Sequence, residues 1–216
     1  MIHLIAYITL AVIWALITWI GELWLAAVFH GLSRLAYVGF VGGALWVQDH
    51  HRLYTRKFGI EEGFRRFRSV ASVIMNNDGV SLAMLVWVTR GTFSGDLPLW
   101  GHLLIGGLLV LVGVDIKVWA RQAIGDRGYY WYDFFAPSEE AEYTTDGPYR
   151  WMSNPMYTVG YAHTYGIALA LASLPGLFAA VFDHISILVF WWLVERPHYK
   201  RLYIVESETA TVGTGA

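Results

Sequence analysis

Six stretches of this chain carry too little charge and too much aliphatic and aromatic bulk to rest in water, and they decide what it can fold into. A bilayer core about 30 Å thick takes about 20 apolar residues of helix. Ile2 to Phe29 meets that requirement with Glu22 as its interruption. After the helix-weakening His30-Gly31-Leu32-Ser33, a shorter apolar stretch runs from Leu35 to Val47. A third, Val70 to Val88, is cut by Asn76-Asn77-Asp78-Gly79. Pro98 opens a fourth through Ala123, Pro155 a fifth through Ser173, and after a Pro175-Gly176 turn a sixth ends at Val194. Charged residues make up only 15% of the chain, against about 25% in soluble domains. The expected fold is an all-α, polytopic transmembrane helix bundle of about six spans, or five if the third does not cross. It forms a single membrane domain over 1–216, with the lipid bilayer as its surroundings and no nucleic-acid partner. Ile2 to Ile20 lacks a basic n-region and a small-residue cleavage site, so it reads as a retained span rather than a signal peptide.

Six spans put both termini on one face, together with loops 49–69 and 117–150 and the tail from 196. Every Lys and Arg then falls on that face except Arg34 and Arg90, which fall opposite. By the positive-inside rule the basic face is cytoplasmic. Gln48 to Ser69 reads as a solvated basic loop with room for an interfacial helix, and residues 207–216 as a disordered tail. Cysteine is absent, which excludes thiolate chemistry. His3, His30, His50 and His51 have no ligand spacing with carboxylates, so no metal is expected. Oligomeric state is not encoded in any visible pattern.

Polar residues cluster toward the basic ends of the last three spans. Pro155 is acceptable in a first helical turn, which makes Asn154 the N-cap. Tyr157, Tyr161 and Tyr165 follow at four-residue steps on one face, a column that suits a sulfonium or alkylammonium cation, although packing tyrosines look the same. The last span aligns His184, Leu188, Trp191 and Glu195, and the fourth aligns Asp115, Trp119, Gln122 and Asp126. The three stripes outline a pocket at the cytoplasmic end of the last three spans. Glu22 and Asn76-Asn77-Asp78 either join that cavity or pack as pairs. Ionisable groups inside spans usually face a cavity or a partner.

These residues also carry a resemblance. Gly147-Pro148-Tyr149, Asn154-Pro155-Met156-Tyr157 with Gly160, and Val194-Glu195-Arg196-Pro197-His198 are similar to the signature of the integral-membrane methyltransferases that act on phospholipids and isoprenylcysteine. Within that group Gly125-Asp126, the Asn-Pro-Met-Tyr motif and the run Tyr130 to Phe135 most resemble the phosphatidylethanolamine N-methyltransferases, in particular those of fungal type. The resemblance covers residues 101 to 203 and makes 98–206 the methyltransferase core, after N-terminal spans and a basic loop over 1–97. It implies S-adenosylmethionine as cofactor and a membrane phospholipid as substrate. Around the cofactor it implies Tyr149, Asn154, Pro155, Tyr157 and Glu195, with Arg150, Gly160 and the Gly106-Gly107 pair as further cofactor-binding candidates. Glu195, His198, Asp126 and His163 are the candidates for accepting the substrate's proton. Isoprenylcysteine enzymes have Arg-His where this chain has Ser153-Asn154, which argues against that substrate. The vertebrate phospholipid enzyme has Gly-x-Gly in place of Gly106-Gly107, and paired glutamates in place of Glu195-Arg196. A sterol-type membrane reductase and a small transporter are the competing readings.

Overall fold

The computed structural model describes residues 2–93, 97–136 and 144–202, which are helical with no strands among them. Helix α1 (Ile2–Ile20) stops at Gly21, whose φ of 71° is a left-handed conformation that a β-carbon disfavours. The first span therefore ends ahead of Phe29, and Glu22 is exposed in the turn. Helix α2 (Leu23–Leu35) passes through a wider π turn (Ala36–Val41) into α3 (Gly42–His51). His30 to Ser33 does not break this rod. Ser33 donates its hydroxyl to the Phe29 carbonyl at 2.8 Å, and His30 Nδ1 lies 3.0 Å from Ser81 Oγ.

After the short α4 (Leu53–Phe58), α5 runs unbroken over Ile60–Val88. Much of the expected basic loop is thus helix, with Arg65, Arg66 and Arg68 on the first turns of α5. The Asn76 to Gly79 interruption is also helical, because each polar side chain finds a partner on a neighbouring helix. Asn76 donates to Tyr7 Oη at 3.0 Å, Trp14 Nε1 donates to Asn77 Oδ1 at 3.2 Å, and Asn77 donates to Ser33 Oγ at 2.7 Å. Satisfied polar groups of this kind are tolerated at membrane depth.

Helices α6 (Leu99–Tyr129), α7 (Ala162–Ala170) and α8 (Leu174–Phe190) complete the bundle, and α8 continues through a π turn (Trp191–Glu195) to Leu202. Five helices are long and apolar enough to cross a membrane. The element expected from Pro155 is shorter than predicted: a turn follows Pro155, a 3-10 turn spans Val159–Tyr161, and α-helix begins only at Ala162. Arg68 pairs with Asp126, Arg127 lies 3.3 Å from Glu61, and Arg201 pairs with Asp49, so the basic ends of α3, α5, α6 and α8 meet on one face. The tail expected to fray from 207 lies outside the described residues.

Helices α6 and α7 meet backbone to backbone. A β-carbon on Gly106 would sit 2.5 Å from the Ala170 nitrogen and 2.6 Å from the Gly166 carbonyl oxygen, whereas one on Gly107 meets nothing within 4 Å. Small residues at helix contacts permit this approach in membranes. Gly106→Ala is expected to lower stability by about 1–3 kcal/mol, the usual range for overpacking. Gly107→Ala should be tolerated. Thermal unfolding of the two variants in detergent checks the pair, and equal midpoints contradict the expectation.

Arg34 does not fall on the face opposite the other cations. It is 1% exposed at the centre of the bundle. Its guanidinium donates to Asp78 Oδ2 at 2.7 Å, Ser186 Oγ at 2.7 Å, Tyr161 Oη at 2.9 Å and the Asp183 carbonyl at 2.5 Å, and Nε lies 3.4 Å from Asp183 Oδ1. The ligand-capable atoms of His30, Asp78 and Asp183 lie within 4.8 Å of one another. Arg34 already supplies positive charge to this group. The sequence concealed it because its members come from α2, α5 and α8.

Candidate active site

The basic face holds a cavity of about 690 Å³ between the end of α6, the Trp131–Asp133 segment, residues 144–157 and the end of α8. Its walls are built by local departures from α geometry. The π turn Trp191–Glu195 widens α8, and both Trp191 and Glu195 line the cavity. Such π segments inside helices recur at functional sites. At Gly125 the α6 helix kinks, with φ 68°. Trp131 adopts a left-handed φ of 58°, uncommon for a residue with a β-carbon.

That conformation serves Glu195. The carboxylate is only 6% exposed, and its Oε1 accepts hydrogen bonds from Trp131 Nε1 and from Tyr157 Oη, each at 2.5 Å. Three separate segments thus fix one acid, and Oε2 has no hydrogen-bond partner among the described residues. Tyr157 is positioned in turn by its own backbone. Its N–H donates to Asn154 Oδ1 at 3.2 Å, and its carbonyl lies 2.9 Å from His184 Nε2. Asn154 therefore caps a turn rather than an α-helix.

A second polar group adjoins this one. His198 is buried, with Nδ1 2.8 Å from Asp49 Oδ1 and Nε2 3.2 Å from Asp133 Oδ2, so both ring nitrogens face carboxylates. Its ring stacks on Phe134 with centroids 3.7 Å apart. Asp133 lines the cavity, as do Thr144, Asp146, Arg196 and Lys200. The chain Asp49–His198–Asp133 connects α3 to the cavity wall.

The structure brings together Tyr149, Asn154, Tyr157 and Glu195 among the residues singled out in the sequence. His198 sits one residue behind the wall, through Asp133. Arg150, Pro155 and Gly160 belong to the same segment but do not line the cavity. Gly106 lies at the α6–α7 contact. Gly107, one residue on, is likewise off the cavity wall. Asp126 is exposed and paired with Arg121 at 2.5 Å and with Arg68, and His163 Nδ1 lies 2.6 Å from the Gly160 carbonyl, so neither acid–base candidate reaches the cavity. The tyrosine column disperses because the chain around 155–161 is not α-helical: Tyr161 receives Arg34, and Tyr165 Oη lies 3.1 Å from His184 Nδ1. Asp115 is exposed on the outside of α6 and does not face the cavity. Sequence reasoning passed over Trp131, Asp133 and Asp49. The run Tyr130 to Phe135 was the available pointer to the first two.

Residues 102–205, which contain all of these walls, match the family described as phospholipid methyltransferase. The match spans just under half of the chain. Phosphatidylethanolamine N-methyltransferase of Pyricularia oryzae is 34% identical to this chain over 140 residues, or 63% of the chain. The proteins of the same name from Saccharomyces cerevisiae and Ajellomyces capsulatus are 33% and 35% identical over 137 and 141 residues. These alignments cover 63% and 64% of the chain. The matched parts amount to only 14–16% of those relatives' own lengths. No solved structure matches the chain.

Proposed function

We propose that this chain N-methylates the headgroup of a membrane phospholipid with S-adenosylmethionine as donor. The substrates would be phosphatidylethanolamine and its partly methylated forms, leading toward phosphatidylcholine. The observation that carries the reading is Glu195, a buried carboxylate fixed by Trp131 and Tyr157 on a cavity wall within a phospholipid methyltransferase segment. A cavity of about 690 Å³ falls in the range that binds small molecules and cofactors. Its donor set fits the cofactor's chemistry. Glu195 Oε2 can accept from hydroxyls or an ammonium, and Asn154 offers an amide. Tyr149, Trp191 and Tyr199 present rings to a cation.

S-adenosylmethionine supplies an electrophilic methyl group on a sulfonium. The protein's work is to align the reactants and to deliver a neutral amine, because an ammonium of the lysine type has a pKa of about 10.4 and no free lone pair when protonated. Asp133, supported by His198 and Asp49, is the group we assign to hold the substrate ammonium and accept its proton. The basic face is assigned to the cytoplasm by its charge, with both termini and the cavity on that side. Acyl chains can then remain in the bilayer while the headgroup enters the protein.

Protein in phosphatidylethanolamine nanodiscs, incubated with labelled donor, is expected to yield mono-, di- and trimethylated lipid by mass spectrometry. An extract without methylated product overturns the substrate. The donor should raise the unfolding temperature and a nicotinamide cofactor should not, which separates this reading from a sterol-type reductase.

A further inference from the structure

Asp115 is an exposed carboxylate halfway along a membrane helix, and it has no hydrogen bond or ion pair among the described residues. The uncharged run from Leu97 through Val114 ends at this residue on the outer surface of α6, and a helical run of that length is about 27 Å long, close to the thickness of a bilayer's hydrocarbon core. One helical turn further, on the same face, Trp119 is 42% exposed, and its ring meets the edge of Trp151, 66% exposed, with centroids 5.5 Å apart. The pair is held beside the cavity. A β-carbon on Gly147 would lie 3.1 Å from Trp119 Nε1 and 3.2 Å from the Ala123 β-carbon, and Ala123 lines the cavity wall. Lys117, the nearest cation in sequence, is turned away, with Nζ 4.5 Å from the Tyr161 ring centroid.

We infer that Asp115, Trp119 and Trp151 form an external docking site for the alkylammonium headgroup of a phospholipid, ahead of the cavity. The inference rests on the proposed function for why the lipid is captured, but the site itself stands on charge and ring geometry. A carboxylate facing lipid at headgroup depth seeks a cation, and the cations present at that depth are the ammonium groups of ethanolamine and choline lipids. Exposed indole faces attract the same cations and retain them after methylation, when hydrogen bonding to the nitrogen is lost. Glycerol and serine headgroups, with a net negative charge, are repelled by Asp115. The site therefore selects by charge in the bilayer before the buried groups test the amine.

The test compares wild type with Asp115→Asn and Trp151→Ala, each solubilised from vesicles holding equal phosphatidylethanolamine, phosphatidylcholine and phosphatidylglycerol. Retained lipid is counted by native mass spectrometry. Wild type is expected to prefer the two ammonium lipids by about tenfold, a difference of the size one charge and two rings supply. Asp115→Asn should bring the three lipids near parity, and Trp151→Ala should weaken retention of the choline lipid most. Donor affinity should stay at the wild-type value in both variants. Wild type without a headgroup preference, or variants that keep it, overturn the proposal. Wild type that retains ammonium lipids yet forms no methylated product leaves the docking site standing and removes the proposed reaction instead.

Discussion

Glu195→Gln is expected to reduce methyl transfer by about 100-fold or more, the scale seen when a preorganised charged or hydrogen-bonding group is removed from a reaction site. The substitution preserves shape and changes chemistry in two ways. The negative charge disappears from a group that is almost wholly buried, where charge acts through a low dielectric. The amide oxygen can still accept from Trp131 Nε1 and Tyr157 Oη, but the amide nitrogen then takes the place of Oε2 and replaces an acceptor with a donor. Tyr157→Phe is the milder companion, and loss of a hydrogen bond to a charged group predicts roughly a tenfold effect. Rates with labelled donor, together with donor affinity, check both. The protein should remain folded in each case, because both substitutions nearly preserve the volume of the side chain they replace. Near wild-type rates in Glu195→Gln would show that the cavity is not the methyl-transfer site.

Arg34→Met should destabilise the bundle by about 3–5 kcal/mol, the cost of stranding buried charges after one partner is removed. Asp78 and Asp183 would then oppose each other inside the membrane with His30 and Lys117 among their remaining basic neighbours. For a protein of this size the loss corresponds to a fall in unfolding temperature of about 10 °C. The triple variant Arg34→Met, Asp78→Asn, Asp183→Asn should recover much of the loss, since a buried ion network costs nearly as much to desolvate as its pairing returns. Unfolding midpoints in detergent decide the matter. A triple variant no better than Arg34→Met would show that the hydrogen bonds to Ser186 and Tyr161, and not the charges, hold the helices together.

The apolar runs announced a helical membrane bundle, since hydrophobic length is written locally in the sequence. The wall residues Tyr149, Asn154, Tyr157 and Glu195 were also legible, because three short motifs carry them. What failed was the treatment of polar residues inside spans. His30 to Ser33 and Asn76 to Gly79 read as breaks, yet both are continuous helix, since their side chains bond across α1, α2 and α5. A residue's own neighbours in sequence cannot reveal such bonds: Arg34 meets Asp78 at a separation of 44 residues and Tyr161 at 127. Asp115 shows the converse error. Helical spacing aligned it with Asp126, but neither of them reaches the cavity, and spacing alone does not say which side of a helix faces inward.

The segment that matches the phospholipid methyltransferase family begins at 102, yet Asp49 holds His198, Gln48 donates to the Phe134 carbonyl at 3.3 Å, and Tyr132 donates to Glu61 at 2.6 Å. The N-terminal half is thus a scaffold that braces the reaction chamber from behind. Grafting the shared segment onto another protein's N-terminal helices would transplant the chamber without its braces. Interchangeable pieces in this lineage have to be cut along the bracing contacts, and those do not follow the boundary that sequence similarity draws.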